Sequence, residues 1–511
     1  MITVTNGATI YGVDAKLITI EVNIVQGTNL YVVGLPDNAI KESQHRIESV
    51  LKFIKCEMPR QRVIVNLAPA DIRKEGAAYD LPIALSILNS SHQYHLPDLA
   101  KYMILGELAL DGSLRPIKGA LPIAILVKQH GFKGFILPKE NAREAAIVEG
   151  IDIIPVGHIT EAIDFLTRKI VIKPVRSENF DKINAKLNEY ELDFADVQGQ
   201  ENTKRALEIA AAGGHNLIMI GPPGGGKTMI AKRIPSILPP MTIDEALETT
   251  KIYSVIGKLP NGFLITKRPF RSPHHTISNI ALVGGGSNPQ PGEISLSNNG
   301  VLFLDELPEF SRNALEVMRQ PLEERKVIIS RSKVSVEFPA NFMLIASMNP
   351  CPCGYYNHPT KKCVCLPVNV QKYMNKISGP LLDRIDLHIE VTPVSFEEIS
   401  SKRKAESSKV IQARVIAARN IQIQRFQKFK NIYTNAMMPS AMVHDICILS
   451  ETGNKLLKTA MEKLGLSARA YDRILRVART IADLDCSENI KENHIAEAIR
   501  YRSLDRNNWG T

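Results

Sequence analysis

The sequence predicts an α/β protein: a parallel sheet between helices, preceded by an α+β domain and followed by a helical segment. Three observations carry this expectation. The apolar run Leu217-Ile218-Met219-Ile220 feeds the turn Gly221-Pro222-Pro223-Gly224-Gly225-Gly226-Lys227-Thr228. A second run, Val301-Leu302-Phe303-Leu304, ends in Asp305-Glu306, and a third, Phe342 to Ala346, leads to Asn349. Beyond Val394 strand signals nearly vanish. Short, wholly apolar runs bounded by turn residues are the pattern of strands covered on both faces, as parallel sheets are.

Taken in chain order, residues 1–170 alternate strand-like and helix-like segments. Leu17 to Val25 and Val63 to Leu67 read as strands, Ile40 to Phe53 and Leu81 to Leu88 as helices. Residues 171–192 are charged and weakly periodic and read as a linker. A second domain is expected over 193–393 and a helical domain over 394–511, its helices spanning Phe396 to Phe429 and Pro439 to Arg500. With 511 residues the chain exceeds what one core serves, so several domains are expected.

Thr228 and Asp305 stand 77 residues apart, more than one helix and two loops require. An insertion is expected there, and it contains the basic, proline-broken stretch Lys267 to His275 with Arg271 within it. A second insertion, between Glu306 and Asn349, has the pattern of a hairpin, Val327 to Arg331 and Val334 to Phe338, with Arg331 and Lys333 at its tip. A solvated hairpin of no special role would look the same.

The glycine-rich turn after a strand and before a helix suits a nucleoside triphosphate. Successive backbone N–H groups close around phosphates, and the helix N-terminus adds its positive end. Lys227 can reach the β- and γ-phosphates and Thr228 can hold Mg2+. Asp305 can join the Mg2+ shell, Glu306 can polarise the attacking water, and Asn349 can sense the γ-phosphate. Arg384, in Leu381-Leu382-Asp383-Arg384, can act across a subunit boundary on charge developing at the transferred phosphoryl group. These residues point to a nucleotide hydrolase.

Cys351-Pro352-Cys353 and Cys363-Val364-Cys365 are separated by nine residues. Two close pairs bridged by a loop can supply four thiolates to a tetrahedral, structural Zn2+, with His358 as a possible replacement ligand and reduced free thiols as the alternative. Seven cysteines, four in one window, suit a reducing compartment better than a disulfide framework. The net charge of +10 permits an acidic partner such as nucleic acid without demanding it. No signal-peptide pattern and no membrane-length apolar run is present, so a cytoplasmic protein is expected.

Taken together, these motifs resemble the YifB/ComM family, the magnesium-chelatase-like branch of the AAA+ ATPases. The resemblance spans essentially the whole chain. It rests on Asp196-Val197-Gln198-Gly199-Gln200, the glycine-rich turn, Arg271-Ser272-Pro273-His274-His275 and Pro291-Gly292-Glu293-Ile294-Ser295. Phe303 to Leu307, Asn349 to Gly354 and Leu382-Asp383-Arg384 complete it. It implies ATP and Mg2+ as cofactors, Asp305 and Glu306 as the Walker B pair, Asn349 as sensor 1, Arg384 as the finger, and Arg469 (with Arg473 the alternative) as sensor 2. It further implies a homo-hexameric ring whose insertions face a pore, putting Arg271, Arg331 and Lys333 on single-stranded or branched DNA, and recombination proteins as partners.

The first domain resembles the proteolytic domain of Lon, an S5-like fold. Ala78 and Leu121 stand where that family has its Ser nucleophile and Lys base, so the domain is expected to be a proteolytically dead scaffold, with Lys74 and Lys118 having nothing to activate. The function implied is an ATP-driven DNA motor of the helicase or branch-migration type, serving recombination or DNA uptake. The alternative is a chelatase-like ATPase that remodels a protein partner. A nucleotide-binding platform without hydrolysis is a third reading, disfavoured by Asp305, Glu306, Asn349 and Arg384 together.

Overall fold

The structure is a computed structural model describing residues 2–176, 190–260, 264–286, 288–331, 334–358, 360–393, 405–429 and 431–502. It divides into two compact units. The first comprises Met1–Lys186, Thr242–Thr266 and Ser332–Glu337, and the second Leu187–Met241, Lys267–Arg331 and Phe338–Thr511. Most of the expected linker, residues 177–189, lies outside the described residues.

The first unit is built on a seven-stranded sheet. Its strands are β1 (Thr3–Tyr11), β2 (Asp14–Val25), β3 (Leu30–Val33), β4 (Arg62–Ala68), β5 (Tyr102–Ile104), β8 (Gly134–Pro138) and β9 (Asp152–Val156), in the order β3-β4-β2-β1-β5-β8-β9; β6 (Glu107–Leu108) and β7 (Leu114–Arg115) form a separate ribbon. The β1, β2 and β4 pairings are antiparallel, and β5, β8 and β9 run parallel. Strict alternation explains the register. Ile18, Ile20 and Val22 of β2 and Val63, Val65 and Leu67 of β4 are all fully buried on one face. The helix Asp80–Ser90, apolar nearly all round, fills that face. The expected helix over 40–53 is two pieces, Asn38–Lys41, capped by the Asp37 side chain, and Ser43–Phe53.

Thr242–Thr266 follows the glycine-rich turn in sequence yet packs within the first unit. Its helix, Ile243–Val255, opens with a capping box between Thr242 and Glu245. Its C-terminal end lies on the start of the helix Ala120–Gln129, where Gly119 N donates to the Ser254 carbonyl at 3.0 Å.

The second unit holds an all-parallel five-stranded sheet of β10 (Leu217–Ile220), β11 (Phe270–Arg271), β14 (Val301–Leu304), β17 (Met343–Met348) and β18 (Leu387–Glu390). The order is β11-β14-β17-β10-β18, so β10 lies between β17 and β18. Every residue of β10, β14 and β17 is buried, as covering on both faces demands. Short ribbons are made by β12 (Gly284–Gly285) with β13 (Gln290–Pro291), and by β15 (Lys326–Arg331) with β16 (Val334–Pro339). Helices Glu201–Gly213, Ser408–Phe426 and Ala468–Leu484 pack together beside the sheet. The last buries Ile474, Leu475, Ala478, Ile481 and Ala482 along one face. Among the described residues no helix is long and apolar enough to cross a membrane.

Candidate nucleotide site and cysteine centre

Because β10 and β14 are parallel strands flanking β17, their C-terminal ends open on the same edge of the sheet, where open α/β folds bind ligands. The glycine-rich turn leaves β10 there. Gly224 and Gly226 hold φ of +79° and +78°, which residues with a Cβ adopt at a cost, and the helix Lys227–Ala231 follows. Lys227 folds back over the turn: its Nζ donates to the carbonyls of Gly221 at 2.7 Å and Pro222 at 3.0 Å, and to Asn349 Oδ1 at 3.2 Å. Burial lowers the Lys227 ammonium pKa, while the charges of Asp305 and Glu306 oppose that shift.

Thr228 Oγ1 donates to Asp305 Oδ2 at 2.6 Å, and the Ser347 hydroxyl holds the other carboxylate oxygen. Lys227–Asn349 and Thr228–Asp305–Ser347 are thus two hydrogen-bonded groups side by side in one cluster, linked by the charge of Asp305 acting on Lys227. A divalent cation fits between the Thr228 hydroxyl and Asp305, both hard oxygen donors, and an anionic triphosphate fits the N–H-rich turn beside Lys227. Glu306 follows in the left-handed region at φ 54°, with Oε2 3.7 Å from His275 Nδ1. Sequence reasoning missed Ser347 and His275 as neighbours of this cluster. Ser347 carried a signal, two residues before Asn349 at the end of a buried strand, whereas the approach of His275 is a long-range event.

Arg384 and Arg469 are not in that cluster. Both line a separate cavity of about 450 Å³, together with Asp383, Asp386, Arg473 and Arg476. Arg384 is 8 % exposed, its Nη2 2.6 Å from Glu323 Oε1 and its Nη1 on the Pro380 carbonyl. Arg469 is largely exposed, 3.4 Å from Asp383. Arg473 instead meets the buried Asp386 at 2.6 Å.

Of the residues expected on DNA, Arg271 makes a two-pronged pair with Glu293 at 2.6 and 2.7 Å. Lys333 lies outside the described residues, as does the side chain of Arg331, which closes β15. In the first unit Leu121 is fully buried, its N–H donating to Glu144 Oε1 at 2.9 Å, and the Ser254 hydroxyl donates to that same oxygen. Lys74 is buried with its ammonium on the Gly34 and Pro69 carbonyls.

The four clustered cysteines converge. All four sulfurs lie within 4.8 Å of one another, with Cys351–Cys353 at 3.3 Å, Cys353–Cys363 at 3.6 Å and Cys351–Cys363 at 3.7 Å. Tetrahedral thiolates around Zn2+ at about 2.3 Å stand about 3.8 Å apart, so the donor set fits that ion. Against the cost of burial, the backbone N–H groups of Tyr355 and Val364 pull the Cys353 thiol down to about 6. His358 is bonded to the backbone of its own turn, through Thr360 and Lys361, leaving the four sulfurs as the group.

A parallel sheet with an interior strand that feeds a glycine-rich turn, with a lysine, a threonine and an acidic pair at its edge, defines a P-loop ATPase core of the AAA+ class. The chain matches the family "Magnesium chelatase, subunit ChlI" over residues 193–399. It matches "Subunit ChlI of Mg-chelatase" over 20–141 and "Magnesium chelatase, subunit ChlI C-terminal" over 405–502. It is 43 % identical to "Competence protein ComM" of Haemophilus influenzae over 97 % of this chain and 96 % of that one. Identity to YifB of Escherichia coli is also 43 %, over the same shares. Partial similarity extends to Lon protease 2 of Bacillus subtilis, 24 % identical over 34 % of this chain and 33 % of that one. It extends also to "DNA replication licensing factor Mcm6" of Anopheles gambiae, 20 % identical over 60 % and 36 %. The chain belongs to the YifB/ComM family of magnesium-chelatase-like AAA+ ATPases, whose class binds ATP with Mg2+.

Proposed function

We infer that this protein is an ATP-driven motor that assembles as a homo-hexameric ring and moves on single-stranded or branched DNA, in recombination or DNA uptake. The observation that carries hydrolysis is the cluster Lys227–Asn349 and Thr228–Asp305–Ser347. In this reading Lys227 binds the β- and γ-phosphates, Thr228 and Asp305 hold Mg2+, Glu306 orients the attacking water, and Asn349 senses the γ-phosphate. Mg2+ supplies charge neutralisation on the phosphates. Arg384 acts on the nucleotide of a neighbouring subunit, which is the reason for a ring.

The DNA part rests on different support. One full-length relative is named a competence protein, and a more distant one a DNA replication licensing factor. A net charge of +10 suits a polyanionic partner. Arg271, committed to Glu293, contributes to DNA only by exchanging that partner, and Arg331 and Lys333 are the other contacts in this reading. The first unit serves as a scaffold without proteolytic activity, Ala78 and Leu121 offering neither nucleophile nor base. Zn2+ occupies the four thiolates as a structural ion.

The chelatase family matches favour a second reading, a motor that remodels a protein partner. ATP hydrolysis measured with and without single-stranded and branched DNA separates the two, with Lys227→Ala as control. Stimulation by DNA that Lys333→Ala weakens is the expected result. Hydrolysis indifferent to every DNA tested would overturn the DNA motor and leave the protein-remodelling one.

A further inference from the structure

The cysteine loop begins one residue after the nucleotide cluster ends. Asn349, whose Oδ1 accepts from Lys227, is followed by Pro350 and then Cys351. The far end of the loop returns to the same residue. Cys363 and Cys365 lead directly into the helix Pro367–Met374, and the buried Tyr373 on that helix has its hydroxyl close to the backbone of Asn349. The middle of the loop also touches the site. Gly354, at φ +83°, lies so close to the glycine-rich turn that a Cβ there would stand 2.5 Å from Pro223 Cδ. Cys351, fully buried, accepts from Tyr356 N at 3.3 Å within this tight fold.

Three parts of one loop therefore converge on Asn349 and Pro223, and the four thiols are what ties its two arms together. Cys351 and Cys353 stand on the outgoing arm, Cys363 and Cys365 on the returning one. A loop of this length, with few apolar residues of its own, gains order chiefly from a cross-link that removes its conformational freedom. We propose that a Zn2+ ion bound by Cys351, Cys353, Cys363 and Cys365 is a positioning element of the nucleotide site, holding Asn349 and the Pro223 turn in the geometry that hydrolysis needs. This deepens the reading of the chain as a Zn2+-containing ATPase and rests on it. The ion touches no nucleotide: it acts through Asn349, Tyr373 and the Gly354–Pro223 contact.

The test uses the full-length protein, with zinc content by elemental analysis, affinity for a fluorescent non-hydrolysable ATP analogue, and kcat and KM for ATP. Chelation followed by desalting under reductant is expected to lower kcat about 10-fold, with recovery on adding zinc. Two variants leave the thiols in place. Tyr373→Phe and Gly354→Ala are each expected to retain about one equivalent of zinc while losing kcat 3- to 10-fold, roughly the effect of a displaced supporting group.

Purified, reduced, active protein with no bound metal would overturn the proposal at its first step and leave the ATPase reading intact. Stoichiometric zinc whose removal leaves kcat, KM and analogue affinity unchanged would overturn the coupling and leave the metal site. Zinc-loaded protein with no hydrolysis would sink the ATPase reading instead; the coupling would then stand or fall on whether zinc removal changes analogue affinity. Circular dichroism of the stripped protein separates local loosening from unfolding, and an unfolded stripped chain together with unaltered kinetics in both thiol-retaining variants would also overturn the proposal.

Discussion

Arg473 places its Nη1 2.6 Å from Oδ1 of Asp386, a carboxylate 1 % exposed whose other oxygen receives His215 Nδ1 at 3.3 Å and Asn216 N at 3.1 Å. His215 Nε2 meets Thr480 Oγ1 at 2.8 Å, so the helix Ala468–Leu484 is tied to the strand ends of the sheet through one buried charge. Burial pushes the Asp386 carboxyl up, but Arg473 and His215 outweigh it and hold the group far below the carboxylate range. Arg473→Ala removes the main cation facing that buried charge, and a loss of about 3 kcal/mol is expected. Arg469→Ala, at an exposed pair with Asp383, is expected to cost under about 0.5 kcal/mol while lowering ATP hydrolysis. Urea denaturation and hydrolysis rates on both variants check this; an Arg473→Ala protein as stable as the parent would refute the structural role.

Arg384 is held by Glu323 and the Pro380 carbonyl, and it reaches a neighbour's nucleotide only by leaving them. Arg384→Ala is expected to lower kcat by roughly 10³-fold with little change in nucleotide affinity. Lys227→Ala fails in binding instead. If the finger acts in trans, mixing the two inactive proteins restores part of the activity, because some interfaces then combine an intact Lys227 site with an intact Arg384. A mixture that stays dead at every ratio, although its subunits exchange, argues against trans action.

Within the nucleotide cluster, Glu306→Gln and Thr228→Ala are expected to part company. Glu306 has no bond to Lys227 or Thr228, so its amide variant should bind ATP normally and hydrolyse it about 10²- to 10³-fold more slowly. Thr228→Ala removes the donor to Asp305 and is expected to raise the Mg2+ concentration needed for half-maximal binding. Analogue binding titrated against Mg2+ distinguishes them; equal Mg2+ dependence in both variants would remove Thr228 from the cation's shell.

Legibility followed sequence distance. Val301–Leu304 is a strand over the residues its apolar run marks, and the glycine-rich turn sits between β10 and its helix, because chain-local backbone chemistry dictates both. The hairpin of β15 and β16 was visible for the same reason. Arg469 and Arg473 look alike in sequence, one helical turn apart, and only their partners, Asp383 and the buried Asp386, distinguish their surroundings. The pairing of Arg271 with Glu293 was equally hidden, as was the packing of Ile243–Val255 within the first unit. A helix's apolar face says that it is buried and is silent about what buries it.

The first unit carries its own pH signature. Asp80 is fully buried at the start of its helix, with Arg46 Nε 2.6 Å from Oδ2, and burial raises its pKa from 3.8 to about 6 despite that partner. The folded state therefore binds the proton more tightly than the unfolded chain does. The stabilisation is complete below about pH 4 and is lost as pH rises through about 6, amounting to about 3 kcal/mol at 1.36 kcal/mol per pKa unit. Asp80→Asn keeps the shape, cannot ionise, and is expected to flatten this part of the profile. Stability of the parent and Asp80→Asn proteins measured by urea denaturation from pH 4 to 7 provides the check. The difference between them should shift toward the asparagine protein as pH rises, and a difference constant across that window would refute the assignment.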